Sequence, residues 1–465
     1  MARPFISKIS PRAYFVALAA LMALCLALAG CSNGKTSAKT STPKAGYETA
    51  TAADVEKALS EKSAIVVDAR NQAAWAGWKT ADNTVKGHIQ GATDFSANWL
   101  TCTYDDKENL EEMTRDEVLA LYLEQRGIKA DSSVIIYDEN GKDAKAVADF
   151  MKSKGIKDIK TFDAKQWKGA TASYKNYTMW IPANVLNDII TGKPVAELPD
   201  MKNPIIVDAR WGSEKESGYL DGHIPGAIHV NSDDFDNEDK AYILDKDSTL
   251  LKLAASEGIT KDSTVILTGD PIFSARYATI LKYLGVKNVY IMGGTFTTWT
   301  DAGYELEKDA QKATAVDSFG ADKPLNPDFI DTVDEAEKMV KDSSVQLVDT
   351  RTVEEFEGKT SGYSYFKPKG RIDGSVLSPA GIKNSSSMLY YRNIDGTMRN
   401  GDLIEAMWKK QGVDTAKHLS FFCGGGYRAG EILWDAQVLG HDNTSIFSDG
   451  WCGWALAGKP SVSGK

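Results

Sequence analysis

The residues best suited to chemistry lie near the C-terminus, where a cysteine begins a glycine-rich loop. Cys423 follows the run Leu419–Phe422, which predicts a buried strand, and a helical pattern begins just after Arg428. A strand, a tight loop and a helix in this order present main-chain N–H groups and a helix N-terminus to an anion. Arg428 adds a positive charge, so the loop favours a thiolate, the nucleophilic form of cysteine. The alternative is a buried cysteine beside a glycine turn.

The spacing Cys-x-x-Gly-x-Arg resembles the active-site loop of the rhodanese sulfurtransferases. Protein phosphatases with a related loop use Cys-x5-Arg, a ring wide enough for phosphate, whereas here the sixth residue after the cysteine is Ala429. The smaller ring suits one sulfur atom carried as a persulfide. The resemblance implies that Cys423 takes a sulfane sulfur from a small anion such as thiosulfate and passes it to cyanide or a thiol. It also implies that Arg428 stabilises the leaving anion and that the substrate is bound by Gly424, Gly425, Gly426, Tyr427 and Arg351.

An apolar run that ends in Asp-x-Arg occurs three times, at residues 64–70, 204–210 and 345–351. Each copy continues with a second apolar run and a helical stretch, and each closes with a tryptophan. Such runs predict parallel strands buried on both faces, and their alternation with helices predicts a doubly wound α/β unit. Because these features also resemble rhodanese domains, the expected fold is three tandem rhodanese-like domains with parallel sheets. We place them at 47–178, 179–308 and 322–463, with a linker at 309–321.

The three copies differ at the position of the cysteine. The first copy has Asp138 there, and the second has Gly269 followed by Asp270 and Pro271. A proline removes a main-chain donor from the loop, and a carboxylate repels the anions that carry sulfane sulfur. The first two domains are therefore predicted to be inactive and the third to be catalytic.

Positively charged residues of the third domain have a predicted role in binding an anion or drawing it toward the cysteine. In the enzymes that the chain resembles, the arginine at the position of Arg351 contacts the substrate anion, and the alternative is a salt bridge with Asp349. A tyrosine-rich insertion at 363–366, which the other copies lack, is flanked by Lys367, Lys369 and Arg371, and Arg392 and Arg399 lie in a polar stretch further on. Together these positive residues could form a funnel that draws an anion toward Cys423. The alternative for this stretch is a solvated, charged loop.

Two further cysteines, Cys452 and Cys102, are possible chemical groups of the folded chain. Cys452 follows the predicted strand Thr444–Phe447, and the carboxyl ends of neighbouring parallel strands share one edge of a sheet. It is therefore a candidate resolving thiol for Cys423, with a packed thiol between tryptophans as the alternative. Cys102 is interpreted as an ordinary, partly buried thiol. No cysteine and histidine cluster has the spacing of metal ligands, so neither a metal nor a cofactor is expected.

The N-terminus has the pattern of an export signal. Arg3, Lys8 and Arg12 precede an apolar core at residues 14–29, which is short for a membrane span. The core ends in Leu-Ala-Gly-Cys31, which resembles the lipobox of bacterial lipoproteins. We expect a signal peptide at 1–31, lipidation of Cys31 and a flexible tether at 32–46, so that the exported protein is anchored to the outer face of a bacterial membrane. A plain secretory signal is the alternative.

Two other functions remain open at this point. The small, uncharged start of the Cys423 loop resembles that of 3-mercaptopyruvate sulfurtransferases, so mercaptopyruvate is an alternative donor. The second is a non-enzymatic carrier lipoprotein for sulfane sulfur or polysulfide, in which the inactive domains dock a partner. The net charge of −10 gives no support for nucleic-acid binding, which requires a basic surface.

Overall fold

The computed structural model describes residues 46–79, 84–104 and 106–464. The predicted signal peptide at 1–31, its lipidation site Cys31 and all but the last residue of the tether lie outside the described residues. Within the described ranges, no helix has both the length and the apolar character that a membrane crossing requires.

The chain forms three units in sequence, each built on one parallel sheet. The first unit contains β1 Glu48–Thr49, α1 Ala52–Glu61, β2 Ile65–Asp68, α2 Gln72–Ala76, β3 His88–Ile89, β4 Thr93–Asp94, α3 Arg115–Gln125, β5 Ser133–Asp138, α4 Asp143–Ser153, β6 Asp158–Asp163 and β7 Thr171–Ala172. The second contains β8 Trp180–Ile181, α5 Ala183–Ile190, β9 Ile205–Arg210, β10 Ile228–Asn231, α6 Asp247–Ser256, β11 Thr264–Thr268, α7 Pro271–Leu284, β12 Asn288–Met292 and α8 Phe296–Asp301. The third contains β13 Ile330–Asp331, α9 Val333–Met339, β14 Val345–Asp349, α10 Val353–Phe356, β15 Val376–Leu377, α11 Gly401–Gln411, β16 His418–Phe422, α12 Tyr427–Leu439, β17 Thr444–Phe447 and α13 Gly450–Leu456.

The three sheets share one strand order, which confirms the predicted fold class. The orders are β1-β6-β5-β2-β4, β8-β12-β11-β9-β10 and β13-β17-β16-β14-β15, and all neighbours in them are parallel. The central strands are buried because helices cover both faces, as the continuous apolar runs predicted. In the third unit Asp349 is level with Phe422. This register places the Asp-x-Arg motif and the Cys423 loop at the same carboxyl edge of the sheet.

The segment predicted as a linker, 309–321, packs along the second unit. Val316 donates a main-chain hydrogen bond of 2.9 Å to Ala255, and the Phe319 carbonyl accepts one of 2.9 Å from Lys261. The Phe319 side chain is buried against the core. Because its main chain is hydrogen-bonded to the second unit and the Phe319 side chain is buried there, this segment fixes where the third unit begins relative to the second.

Arg392 lies where the three units meet and not in a funnel toward Cys423, so the prediction for this residue was wrong. Its guanidinium donates two hydrogen bonds of 2.6 Å to Glu431 of the third unit and one of 2.8 Å to Asp270 of the second. Its Nη1 atom lies 3.8 Å from a carboxylate oxygen of Asp106 in the first unit. Arg399 is also buried, and it donates to the Leu389 carbonyl at 2.8 Å. The sequence around Arg392 is polar and therefore suggested an exposed position. The carboxylates that neutralise Arg392 are distant in the sequence, so its burial could not be predicted.

Candidate active site

The Cys423 loop has the predicted geometry at the edge of the third sheet. β16 ends at Phe422, and α12 begins at Tyr427, with Gly426 at φ +85° as its N-cap. A residue with a side chain is strained at this φ, so glycine is required at that position. Cys423 is therefore held between the end of a buried strand and the N-terminus of a helix of 13 residues. This arrangement aims main-chain N–H groups and the positive end of the helix dipole at the loop.

The other two glycines of the loop are required for a different reason from that of Gly426. Neither Gly424 nor Gly425 has a left-handed φ. A Cβ on Gly424 would overlap the Tyr363 hydroxyl, and a Cβ on Gly425 would lie 2.6 Å from Cβ of Tyr242. The glycines are therefore needed because side chains from other parts of the chain press directly on the loop.

Tyrosine rings cover the cysteine, which is only 2% exposed. Tyr363 and Tyr365 come from the segment between α10 and β15, and their ring centroids are 5.3 Å apart. Tyr242 comes from the second unit, and its ring centroid lies 5.1 Å from that of Tyr365. Ala241 and Tyr242 have φ of +52° and +59°, a left-handed conformation that costs each of them about 1–2 kcal/mol. Packing against the loop holds this strained turn in place, so the second unit contributes a wall to the site of the third.

Arg428 is buried and fixed by an acidic partner that sequence reasoning missed. Its two terminal nitrogens donate to Glu355 at 3.1 and 3.0 Å, and one of them also donates to the Tyr363 hydroxyl at 2.5 Å. Glu355 also caps α10, where it accepts a hydrogen bond of 2.9 Å from the Thr352 N–H. Burial alone would raise the pKa of Glu355, but the positive charges of Arg428 and Arg351 hold that pKa below its usual value. Glu355 is therefore ionised and orients Arg428 under the loop.

Arg351 makes the salt bridge with Asp349 that was the alternative to substrate binding, and it still has one donor without a hydrogen-bond partner. Its Nε and Nη2 donate to Asp349, the shortest contact being 2.6 Å, and Nη2 also donates to the Gly370 carbonyl at 3.0 Å. Nη1 is buried and has no hydrogen-bond partner. The corresponding Nη1 atoms of the other units are occupied, in Arg70 by Glu139 at 2.8 Å and in Arg210 by the Ser217 carbonyl at 3.3 Å. Among these three arginines, Arg351 is the one with a buried N–H available to a bound anion.

The Tyr427 side chain is turned away from the loop toward the second unit. Its hydroxyl donates to Asp236 at 2.6 Å, and Asp236 also accepts hydrogen bonds from Arg276. Arg276 is fully buried against Gly426 and donates to the Ser448 hydroxyl at 2.7 Å. Burial raises the pKa of Asp236 to about 6, although Arg276 and Tyr427 oppose the shift. The substrate-binding role predicted for Tyr427 therefore narrows to its main-chain N–H.

The loops of the first two units contain groups that replace a bound anion. In the first, the carboxylate of Asp138 accepts hydrogen bonds from the N–H groups of Gly141 and Ala144 at 3.0 and 2.9 Å. In the second, Gly269 occupies the position of the cysteine. Asp270 follows it as the N-cap of α7 and accepts a hydrogen bond of 3.0 Å from the Ile272 N–H. Neither loop has a nucleophile at the position of Cys423.

Cys452 lies next to the Cys423 loop, as its position after β17 suggested. Its N–H donates to the Gly424 carbonyl at 3.0 Å, and the N–H of Trp451 donates to the Cys423 carbonyl at 2.8 Å. Its side chain is buried, and burial raises the pKa of the thiol to about 12. Because a resolving thiol acts as a thiolate, this environment disfavours the role, which stays a prediction. Cys102 lies in the first unit, apart from the loop, with its Sγ 3.6 Å from Nη1 of Arg115.

Three parts of the site were not identified from the sequence: Glu355, the tyrosine cover and Arg276. Glu355 had a local signal, since Thr352 and Glu355 have the spacing of a capping box. The aromatic segment around Tyr363 was visible as an insertion, but nothing in the sequence placed it over Cys423. Arg276 and Tyr242 belong to another unit, and a single sequence carries no signal for such contacts.

Comparison with known proteins follows the same division of the chain. A family model of the rhodanese-like domain matches residues 51–165, 191–302 and 332–457. Thiosulfate sulfurtransferase YnjE of Escherichia coli (strain K12) is 33% identical over 410 residues, which are 87% of this chain and 90% of that protein. The 3-mercaptopyruvate sulfurtransferase of Mus musculus is 23% identical over 287 residues, or 58% of this chain and 93% of that protein.

Solved structures of similar proteins cover nearly the whole chain. The anaerobic ergothioneine biosynthesis enzyme from Chlorobium limicola, in complex with its natural substrate trimethyl histidine, is 28% identical with a TM-score of 0.81. That structure covers 90% of this chain and 100% of its own. A structure of EanB that contains a cysteine persulfide and ergothioneine has the same identity, TM-score and coverage.

Proposed function

The chain belongs to the rhodanese family of sulfurtransferases, and on that premise we propose that Cys423 carries a sulfane sulfur from thiosulfate to a thiophilic acceptor. The observation that carries the proposal is the position of Cys423, at the start of a glycine loop between β16 and the N-terminus of α12. The loops of the first two units have no cysteine at this position. We therefore assign turnover to the third unit and none to the other two.

The proposed reaction has two steps, and each conserves electrons. The Cys423 thiolate attacks the outer sulfur of thiosulfate, so that a new S–S bond forms on the cysteine while the S–S bond of thiosulfate breaks. Sulfite leaves with the electron pair of the broken bond. A nucleophilic acceptor then attacks the outer sulfur of the Cys423 persulfide, which gives thiocyanate from cyanide or a new persulfide from a thiol. The cysteine returns as a thiolate, as expected of a covalent, ping-pong cycle.

The protein groups around the loop have separate roles in these steps. The main-chain N–H groups and the α12 dipole stabilise the negative charge on the persulfide. Arg351 offers its unpaired Nη1 to the oxygens of the donor, and Arg428 supplies a positive charge whose position Glu355 fixes. The tyrosine cover excludes water, which strengthens these interactions.

The donor can be tested by loading the full chain and measuring its intact mass. Incubation with thiosulfate is expected to add one sulfur atom to Cys423, and 3-mercaptopyruvate is the competing donor. Arg351→Lys is expected to raise KM for thiosulfate about tenfold, because one charge-assisted hydrogen bond to the anion is lost. Arg70→Lys is the matched control, since it makes the same change at the equivalent ion pair of the first unit and should leave KM unchanged. Loading from mercaptopyruvate alone would contradict the choice of thiosulfate.

The acceptor step separates an enzyme from a carrier. Persulfide-loaded protein is treated with cyanide, a small thiol, or trimethyl histidine, which is the substrate of the Chlorobium limicola relative. The last acceptor merits inclusion because Cys423 lies beneath three tyrosine rings that could hold an organic ring. Repeated turnover on any acceptor supports an enzyme. Stoichiometric loading without turnover on all three supports the carrier function in its place.

The proposal includes export and lipid anchoring at Cys31, which rests on the lipobox-like sequence alone. Expressed in a bacterial host that is labelled with a fatty acid, the full-length protein is expected in the membrane fraction with the label attached. Cys31→Ser is expected to abolish labelling and to release the protein from the membrane, because it removes the acylated thiol. A full-length protein that remains unlabelled in the cytoplasmic fraction contradicts the anchor. The sulfur-transfer rate of Cys31→Ser should equal that of the parent.

A further inference from the structure

A cavity of about 480 Å³ lies at the junction of the three units and outside the Cys423 loop. Its volume is in the range of small-molecule sites, which are commonly found between domains. None of its lining residues belongs to the Cys423 loop or to the tyrosines that cover it. Its walls include Asn71 and Trp78 of the first unit, Asp301 and Tyr304 of the second, and Asp395 of the third.

The cavity occupies a position in the fold where ligands bind. Asn71 follows β2 of the first unit, while Pro182 and Gly293 follow β8 and β12 of the second. All three are at carboxyl ends of strands, and open parallel sheets bind ligands in the crevice outside those ends. Two sheets therefore turn their ligand-binding edges toward one shared space, and the segment around Asp395 closes it from the third unit.

The lining has the charge and the surfaces of a site for a cation. Its charged side chains are Asp301 and Asp395, and no lysine, arginine or histidine lines it. Five aromatic rings contribute to the walls: Trp78, Tyr174, Tyr177, Trp180 and Tyr304. Aromatic faces attract cations, whereas carboxylates repel the sulfur-bearing anions that the catalytic site takes.

The Lys86 ammonium lies 5.0 Å from the centre of the Tyr177 ring, so this ring is already engaged by a cation of the chain itself, and four aromatic rings of the wall remain for a ligand. Asp301 is held in place by two hydrogen bonds of 2.6 Å, from the N–H and the hydroxyl of Thr103. A carboxylate offers about four acceptor positions, so Asp301 keeps the capacity to accept from a ligand.

We infer that this cavity is a binding site for a small organic cation with an aromatic or apolar body, such as an aromatic amine. Asp301 neutralises the ammonium, and the rings of Trp78 and Tyr304 pack against the body. Because the walls come from all three units, the bound cation holds the units together. The inference is independent of sulfur transfer at Cys423.

The test uses three probes of one shape and different charge: tyramine, tyrosol and 4-hydroxyphenylacetate. Isothermal titration of the full chain is expected to give tyramine a Kd of about 1 mM or tighter, and the anionic probe an affinity at least about tenfold weaker. Tyrosol should fall between them. Equal affinity for the three probes, or no saturable binding of tyramine at this concentration, overturns the inference.

Variants locate the binding in the cavity. Asp301→Asn is expected to weaken tyramine about threefold while changing tyrosol little, because only the charge pair of an exposed carboxylate is lost. Tyr304→Leu should weaken all three probes and serves as the second variant if Asp301→Asn does not fold. Asp262→Asn is the control, because it changes an exposed carboxylate that pairs with Lys261 and does not line the cavity. This variant should bind tyramine with the affinity of the parent. Sulfur transfer should be unchanged in all three variants, and parent affinity for tyramine in both Asp301→Asn and Tyr304→Leu overturns the site.

Discussion

Replacing Cys423 by serine is expected to lower sulfur transfer from thiosulfate to cyanide by at least about a thousandfold, because the covalent route needs a sulfur nucleophile. The intact mass of the variant should show no added sulfur after incubation with thiosulfate. The fold should survive, since serine is close in size to cysteine and its hydroxyl can bond to the N–H groups of the loop. We expect the melting temperature to stay within about 3 °C of the parent.

The other two described cysteines are matched controls for this variant. Cys102→Ser removes a buried thiol of the first unit and should retain the parent rate. Cys452→Ala removes the thiol beside the loop and separates its two interpretations. If Cys452 resolves Cys423, peptide mapping after mild peroxide finds a Cys423–Cys452 linkage in the parent, and Cys423 oxidises further in the variant. A Cys423→Ser protein with most of the parent rate would contradict the mechanism as a whole.

Arg392→Met is expected to lower the free energy of unfolding by about 3–5 kcal/mol, because it leaves the buried carboxylate of Glu431 without its partner. Arg392 is 3% exposed and Glu431 is 2% exposed, so water cannot replace the lost hydrogen bonds. Urea denaturation followed by tryptophan fluorescence measures the change. Arg392 also contacts one carboxylate in each of the three units, so the variant should lose cooperativity and unfold in separate steps.

A double variant separates the charge from the packing. Arg392→Met combined with Glu431→Leu replaces the buried pair with apolar side chains of similar size and should recover most of the lost stability. Asp270 is about half exposed and tolerates the loss of its partner. Lys193→Met breaks an exposed ion pair with Asp188 and should cost at most about 0.5 kcal/mol. A stability of Arg392→Met equal to that of Lys193→Met would show that the junction does not depend on this ion pair.

The sequence was most informative where function depends on contacts close along the chain. The apolar strand, the glycines and Arg428 all lie within a few residues of Cys423, so the strand, loop and helix could be predicted directly. The three copies of the Asp-x-Arg strand predicted the three sheets, and the register of Asp349 beside Phe422 follows from the parallel pairing. Even the Asp349 salt bridge of Arg351 was foreseen as an alternative.

The sequence was least informative where function depends on contacts between distant segments. Glu355 is 73 positions from Arg428, and Tyr242 reaches the loop from another unit. Arg392 was misassigned because its environment depends on burial, and a polar composition normally indicates exposure. Its two nearest carboxylates, Glu431 and Asp270, become neighbours only when the second and third units pack together.

The Asp138 carboxylate has a consequence for how a repeated fold can change. A loop that has lost its anion is left with inward-facing N–H groups, and such unpaired donors destabilise a folded unit. In the first unit a single side chain both removes the nucleophile and satisfies the N–H groups of Gly141 and Ala144. A unit can therefore lose its catalytic cysteine without losing folding stability. A duplicated unit of this kind can persist as a stable building block, free to acquire surfaces that serve its active neighbour.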